Sequence, residues 1–313
     1  MTEQLVHDPA AVAALSAQVA SRTGIPLSHI EKDFWVTEVL RGVVGAANAV
    51  GIEIVFKGGT SLSKAFSLIE RFSEDVDVLA ILPAALGKGA RDTILKSLVN
   101  GAATATGLAP VAVPSATSTG LKRGARFHYT EQSNNFGLSD GVFLEIGSRG
   151  GAMPASMTPI VSILARDAAT ELHGFAEAEP VVVRVLDPCR TLVEKLVLLH
   201  TAHDSRDAIR GARHYYDVYQ LLQHPNVLDD LQTIGIETLS RDVCTYSTAA
   251  GLKGNVRPTG GFANSPAFTN SAHLHVARER YEQAVLQQLL WPNANRPSFD
   301  DCLNAVNATR NKL

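Results

Sequence analysis

The chain has 313 residues, 45% of them hydrophobic and 19% charged, a composition that buries a sizeable core and excludes an intrinsically disordered protein. Its 28 Lys and Arg against 31 Asp and Glu give a net charge of −3, which excludes a bulk coat for nucleic acid or an anionic membrane but not a nucleic-acid substrate. Residues 1–190 carry 16 basic and 19 acidic side chains and residues 191–313 carry 12 of each, so the acid excess lies in the N-terminal part. Cys189, Cys244 and Cys302 are far apart and odd in number, which suits reduced thiols in a cytosolic protein. The opening MTEQLVHDPA has no signal-peptide pattern, and no apolar run reaches the roughly 18 residues of a membrane span. A cytoplasmic protein with no membrane partner is expected.

In chain order, periodicity predicts a helix over 8–21 and, after Pro26, a longer one from Ser28 with Ile30, Phe34, Val36, Leu40 and Val43 on its apolar face. Ile52 to Phe56 reads as a buried strand ending at Gly58 and Gly59. Thr60 then reads as the N-cap of a helix, SLSKAFSLIER, with Leu62, Phe66 and Ile69 on one face, and VDVLAIL as a second strand. A helix over 90–105 precedes β-like stretches at 109–113, 125–130, 141–146, 159–164 and 181–186. From Pro188 onward the pattern is helical, interrupted by a low-complexity span over 251–272. The expectation is a bilobed α/β (α+β) protein. Residues 1–188 form a lobe with a mixed β-sheet flanked by helices, and residues 189–313 form a mostly helical lobe closing the active site.

The chemistry concentrates in KGGTSLSKAFSLIERFSEDVDV, residues 57–78. Asp75 and Asp77 are two apart at the start of a strand, so both carboxylates leave one face while Val76 and Val78 enter the core. Their Cα atoms are then about 6.5–7 Å apart, and such a pair can hold a divalent metal together with phosphate and water, as phosphoryl and nucleotidyl transfer require. The Gly58–Gly59 turn before a helix offers backbone N–H groups to phosphate, with Thr60 and Ser61 adding hydroxyls; a tight turn alone also explains a Gly pair. This is not a Walker A loop, because Lys57 precedes the glycines and Lys64 lies inside the following segment.

With IEKDFWVTEVL upstream and LEIGSRG (144–150), RTLVEKLVLLH (190–200) and RHYYDVYQLL (213–222) following in order, this string closely resembles the AbiEii family of nucleotidyltransferase toxins, the toxin half of AbiE-type toxin–antitoxin pairs, with a DNA-polymerase-β-like nucleotidyltransferase fold. The 13 residues between Ser61 and Asp75 are a slightly wider spacing than in small antibiotic nucleotidyltransferases. The resemblance implies a metal-dependent enzyme that moves a nucleoside monophosphate from an NTP to RNA, above all the 3′ end of tRNA, and so blocks translation. It makes Asp75 and Asp77 ligands of Mg²⁺ or Mn²⁺, and Lys57, Gly58, Gly59, Thr60 and Ser61 the phosphate-gripping turn. Glu145, the single polar side chain in its strand, becomes a candidate third carboxylate; the alternative is an ion pair with Arg126 or Arg149. Lys195, close to the apolar stripe of its helix, becomes a triphosphate ligand; otherwise it snorkels. Asp217 becomes a catalytic residue that binds nucleotide or orients Lys195 and Arg213; otherwise it is a surface carboxylate paired with Arg213.

The family also implies a cognate antitoxin, a DNA-binding regulator encoded alongside. A phosphate on Ser73, Thr60 or Ser61 would place about −1.5 to −2 charge beside the metal ligands, making these candidate regulatory positions. His200, His203 and Asp204 read as a helix-end polar cluster rather than a metal site, and Tyr215, Tyr216 and Tyr219 as packing, with Tyr216 of interest beside Asp217. Lys253, Arg257, Arg278 and Arg280 could form a basic edge for RNA or a solvated loop. The remaining readings are nucleotidyl transfer to a small molecule or protein, including self-modification at Ser61 or Ser73, and a non-catalytic nucleotide-binding regulator.

Overall fold

The computed structural model describes residues 3–130, 138–202, 208–249 and 257–313. The chain divides into two units: Met1–Phe66 with Phe72–Val185, and Ser67–Arg71 with Leu186–Leu313. The expected boundary near residue 188 is therefore joined by a second exchange, five residues long, that periodicity does not reveal.

In the first unit, α1 (Pro9–Thr23) starts on Asp8, whose carboxylate accepts from the Ala11 N–H, with Pro9 in the first helical position. Helix α2 (Leu27–Ala49) buries all five expected apolar residues, and also Glu31, Lys32, Asp33 and Glu38. It packs closely on α4 (Lys88–Thr106), because Gly42 and Gly101 leave no side chain between the two axes. A Cβ on Gly42 would lie 2.6 Å from the Ala102 Cα and 2.8 Å from the Gly101 carbonyl oxygen.

The sheet is mixed and seven-stranded, in the order β3-β4-β5-β2-β1-β7-β6. Its strands are β1 (Glu53–Lys57), β2 (Asp75–Ile81), β3 (Pro110–Ala112), β4 (Lys122–Phe127), β5 (Val142–Gly147), β6 (Ala155–Ile160) and β7 (Val181–Leu186). β1 runs antiparallel to β2 and parallel to β7, β5 runs parallel to β2 and antiparallel to β4, and β3 runs antiparallel to β4. Ile54, Phe56, Val76, Val78, Ala80, Val142, Leu144 and Ile146 share one buried face, and α2 and α4 pack against the sheet. The opposite face carries Lys57, Asp75, Asp77 and Glu145.

Two expected elements differ. The helix predicted through Arg71 stops early: α3 spans Gly58–Lys64, and Ser67 turns the chain with a left-handed backbone, φ 53°. Residues 67–71 then belong to the second unit, where Arg71 bridges to Leu290, so Phe66 and Ile69 do not share a helical face with Leu62. The strand expected at 159–164 falls four residues early, as β6, because Ser162 caps a short helix α5 (Ile163–Asp167) by accepting from the Ala165 N–H at 2.9 Å.

The second unit contains α6 (Pro188–Ala202), α7 (Ala208–Leu222), α8 (Pro225–Ile234), α9 (Ile236–Ala249), α10 (Pro266–Thr269), α11 (Ser271–Arg280), a π-helical stretch (Tyr281–Leu289) and α12 (Phe299–Ala308). The low-complexity span thus includes short helices. α7 is its centre: Tyr215, Tyr216, Val218, Leu221 and Leu222 are buried against α6, α11 and α12. Tyr215 lies edge-on to Phe299, ring centroids 4.9 Å apart, and donates to the Ala267 carbonyl at 2.7 Å, so it is packing, as expected. Among the described residues no helix is long and apolar enough to cross a membrane, and Cys189, Cys244 and Cys302 form no disulfide.

Gly42→Leu should overpack the α2–α4 contact. Loss of about 1–3 kcal/mol or more in urea unfolding is expected, and an unchanged midpoint would contradict the packing.

Candidate active site

Strand register builds the first half of the site. Lys57 on β1 pairs with Asp77 on β2, Asp77 pairs with Glu145 on β5, and Glu145 pairs with Gly124 on β4, so four strands contribute one continuous row. Asp75 pairs with Phe143 and, two residues from Asp77, shares its face. Val76 and Val78 point into the core, while Asp75 and Asp77 remain half-buried. Glu145 does form an ion pair, but with Lys122 rather than Arg126 or Arg149, Nζ to Oε2 3.6 Å, in a partly exposed position. Arg126 instead donates to the Asp140 carbonyl and lies over the Phe143 ring, 5.4 Å from its centroid.

The turn before α3 is fitted to this row. Gly58 has φ 83°, a conformation that favours glycine, and a Cβ there would overlap the Asp77 carboxylate. Asp77 therefore lies directly against the turn. Thr60 is not the N-cap, since the helix already begins at Gly58. Its buried hydroxyl donates to the Asp75 carbonyl and contacts the Ser73 hydroxyl at 2.9 Å, while the buried Ser61 hydroxyl donates to the Gly58 carbonyl at 2.9 Å. The Thr60 hydroxyl ties the turn to β2, and the Ser61 hydroxyl closes the turn on itself.

Among the described residues no three His, Cys, Asp or Glu side chains cluster so as to hold a metal. Two carboxylates on one face nevertheless fit Mg²⁺, which is commonly held by one or two protein carboxylates plus substrate phosphate and water.

The second unit holds a buried ionic triad. Asp217 is fully buried and receives Arg71 in a bidentate fork, Nε to Oδ1 2.6 Å and Nη2 to Oδ2 2.8 Å, together with the Lys195 ammonium at 2.7 Å. The surface pairing with Arg213 considered from the sequence is thus replaced by a buried pairing with Arg71 and Lys195. Burial opposes charge on Asp217, but Arg71 and then Lys195 outweigh it and hold the carboxyl well below its ordinary range. Lys195 is pushed down, first by burial, because the one anion is shared with Arg71. His214 has its Nδ1 3.9 Å from Asp217, beyond hydrogen-bond reach, and burial with the nearby Lys195 charge lowers it to about 4. Tyr216 accepts from the Glu70 N–H at 3.2 Å, and Trp291 N–H donates to the Glu70 carbonyl at 3.0 Å, so residues 67–71 are docked at several points.

The model of the family described as nucleotidyl transferase AbiEii toxin, type IV toxin–antitoxin system, matches residues 44–305. The chain belongs to the AbiEii family. It is a nucleotidyltransferase toxin of a type IV toxin–antitoxin system, a family that generally uses an NTP and a divalent metal and implies an antitoxin partner. Among solved structures it is similar to MenT4, a nucleotidyltransferase toxin from Mycobacterium tuberculosis H37Rv, at 16% identity and TM-score 0.41, with 96% of each chain covered. No curated protein matches it.

Several residues of this AbiEii chain escaped sequence reasoning. Lys32, fully buried, donates to the Ser139 carbonyl at 2.5 Å and pairs with Glu74 at 3.1 Å, fixing the residue before Asp75. Asp33 pairs with Lys64 at the end of α3 and accepts from the Ile163 N–H at 2.6 Å. Charges inside the apolar string IEKDFWV were the available signal. Arg71, inside an apparent helix, gave none. In the discounted groups, His200 contacts the Ser265 hydroxyl at 2.8 Å, while His203, Asp204 and Lys253 lie outside the described residues. Arg257 pairs with Glu237 and Arg278 with Asp300, so the suggested basic edge has much of its charge matched internally.

The triad sets a pH dependence. Ionised Asp217 contributes stability above the unfolded carboxyl pKa of about 3.9 and loses it as pH falls through the lower folded value. His214, at about 4 in the folded chain against the ordinary imidazole value of about 6.5, withholds a proton that the unfolded chain binds, so stability also declines as pH falls from 6.5 toward 4. In urea titrations across pH, His214→Gln should flatten the upper part of this decline. Asp217→Asn should flatten the part below pH 4 and cost about 3–5 kcal/mol at neutral pH, where two buried cations lose their anion. Unaltered profiles would refute the assignment.

Proposed function

We propose that this AbiEii toxin transfers a nucleoside monophosphate from an NTP to the 3′ end of an RNA, above all tRNA, and thereby arrests translation in the cytoplasm. The observation that carries the reading is the row Lys57, Asp77 and Glu145 on adjacent strands, with Asp75 on the same face and the Gly58 turn seated on Asp77.

Asp75 and Asp77 would hold Mg²⁺ or Mn²⁺, which when bound neutralises charge on the reacting phosphate. Lys57 and the main chain of Gly58, Gly59, Thr60 and Ser61 bind phosphate on the β1 side. Lys195, oriented by Asp217, is the phosphate ligand that the family resemblance implies. Asp217 has both oxygens occupied by Arg71 and Lys195 and is held ionised, so it orients rather than accepts a proton. Glu145 is the base: its contact with Lys122 at 3.6 Å is too long for a hydrogen bond, leaving its oxygens able to accept from an incoming hydroxyl. The 3′ oxygen forms a bond to the α-phosphorus, its proton passes to Glu145, and the bond to the β-phosphate oxygen breaks, releasing pyrophosphate.

Ser73 is the more accessible of the three regulatory candidates, since Thr60 and Ser61 are buried. A phosphate on Ser73 adds negative charge two residues before Asp75 and disturbs its contact with Thr60.

Incubation with each α-labelled NTP, Mg²⁺ and total tRNA should label tRNA. Asp77→Asn and Lys195→Ala should abolish labelling while the proteins remain folded, and chelation should do the same to wild type. Full activity of either variant would overturn these roles. Ser73→Asp should lower transfer strongly, and wild-type rates would remove the regulatory reading at that position.

A further inference from the structure

Phosphoryl transfer places the attacking and leaving oxygens on opposite sides of the phosphorus. With the triphosphate on the Lys57 and Gly58 side of the carboxylate row, the acceptor approaches from the other side, over β5 and β4. Register shows what lies there. Lys122, Gly124 and Arg126 of β4 pair with Gly147, Glu145 and Phe143 of β5, and Phe143 pairs in turn with Asp75. All therefore share the face of Asp75 and Asp77. At about 4.8 Å per strand, β4 lies roughly 10 Å from β2.

From these positions we propose that β4 and β5 form the acceptor subsite: Lys122 and Arg126 bind the phosphates of a single-stranded RNA 3′ end and deliver its terminal hydroxyl to Glu145. The inference rests on the nucleotidyl-transfer reading above and adds where the acceptor lies. Three observations support it. Arg126 is half-buried, and among the described residues its hydrogen bonds go to the Asp140 carbonyl and the Ser139 hydroxyl rather than to a carboxylate, so its charge is not neutralised. Its guanidinium is held over the Phe143 ring, which presents a fixed plane to a base or phosphate. Gly124 makes room for that ring, since a Cβ there would lie 3.2 Å from Phe143 Cε2 and collide with Ala116. Lys122 has Glu145 as its ion-pair partner at 3.6 Å; arriving phosphate competes for the ammonium and releases the carboxylate to take the hydroxyl proton.

The test measures binding of a 5′-fluorescein-labelled RNA hairpin with a single-stranded CCA end across a salt series, in the full-length protein, alongside NTP affinity and label transfer. Lys122→Ala with Arg126→Ala should weaken RNA binding at least about tenfold and reduce the slope of log affinity against log salt by about 1.4, at 0.7 per lost phosphate contact, with NTP affinity unchanged. Arg126→Lys should keep the slope while losing roughly fivefold or more in affinity, because charge remains and the stacked plane is gone. Wild-type RNA affinity and slope in the double variant would overturn the subsite while leaving nucleotidyl transfer intact. If wild type itself labels no RNA, or its acceptor affinity is insensitive to salt as with a small molecule, the RNA reading fails first and this inference with it.

Discussion

Two pairings, one antiparallel and one parallel, decide what this protein can do. β1 and β5 flank β2 in a register that sets Lys57, Asp77 and Glu145 side by side. Side chains alternate with a period of two, so a slip of one residue would send Asp75 and Asp77 into the face now filled by Val76, Val78 and Ala80. Burying two unpaired carboxylates costs several kcal/mol each, whereas each of the displaced apolar side chains stabilises by about 1.5–3 kcal/mol when buried. The same hydrophobic alternation that folds the sheet therefore presents the carboxylates and sets their spacing.

The turn and helix α2 reinforce that register at the start of β2. Thr60 donates to the Asp75 carbonyl, and Lys32 pins Glu74 one residue earlier. Gly58 allows the turn to approach Asp77 more closely than any side chain would permit. In the second unit, Asp217 performs the corresponding task for Lys195. A lone ammonium buried to this degree would lose its proton, and a lone Lys–Asp pair would present no net charge. Adding Arg71 leaves the triad at +1, which keeps a cation in a buried setting while all three groups stay hydrogen-bonded.

Much of this was legible in the residues. The paired Asp75 and Asp77, the strand before Gly58 and the alternation of Leu144, Glu145 and Ile146 are local patterns with one physical solution. Lys195 stood out because it sits near an apolar stripe. What could not be read are partners set by pairing between distant segments: that Glu145 faces Asp77 and leans to Lys122, and that Asp217 meets Arg71, 146 residues away. The helix expected through Arg71 illustrates the cause. Leu62, Phe66 and Ile69 have helical spacing, but Ser67 adopts φ 53° and residues 67–71 are held instead by Tyr216, Trp291, Leu290 and Asp217. Tertiary contacts override a short stretch of propensity.

The sheet face also gives the overall charge a local meaning. Lys57, Lys122 and Arg126 number three cations, and Asp75, Asp77 and Glu145 three anions, so the face as a whole is neutral. A neutral face on a chain of net charge −3 draws in polyanions weakly at long range, since exposed charges are screened beyond about 8–10 Å. Order along the strands matters more than the sum. The anions occupy the centre, on β2 and β5, and the cations the two sides, on β1 and β4. Two phosphate-bearing chains can then be held apart and in line across a central pair of carboxylates. Such an arrangement suits the proposed transfer to one RNA terminus better than a lasting grip along a duplex.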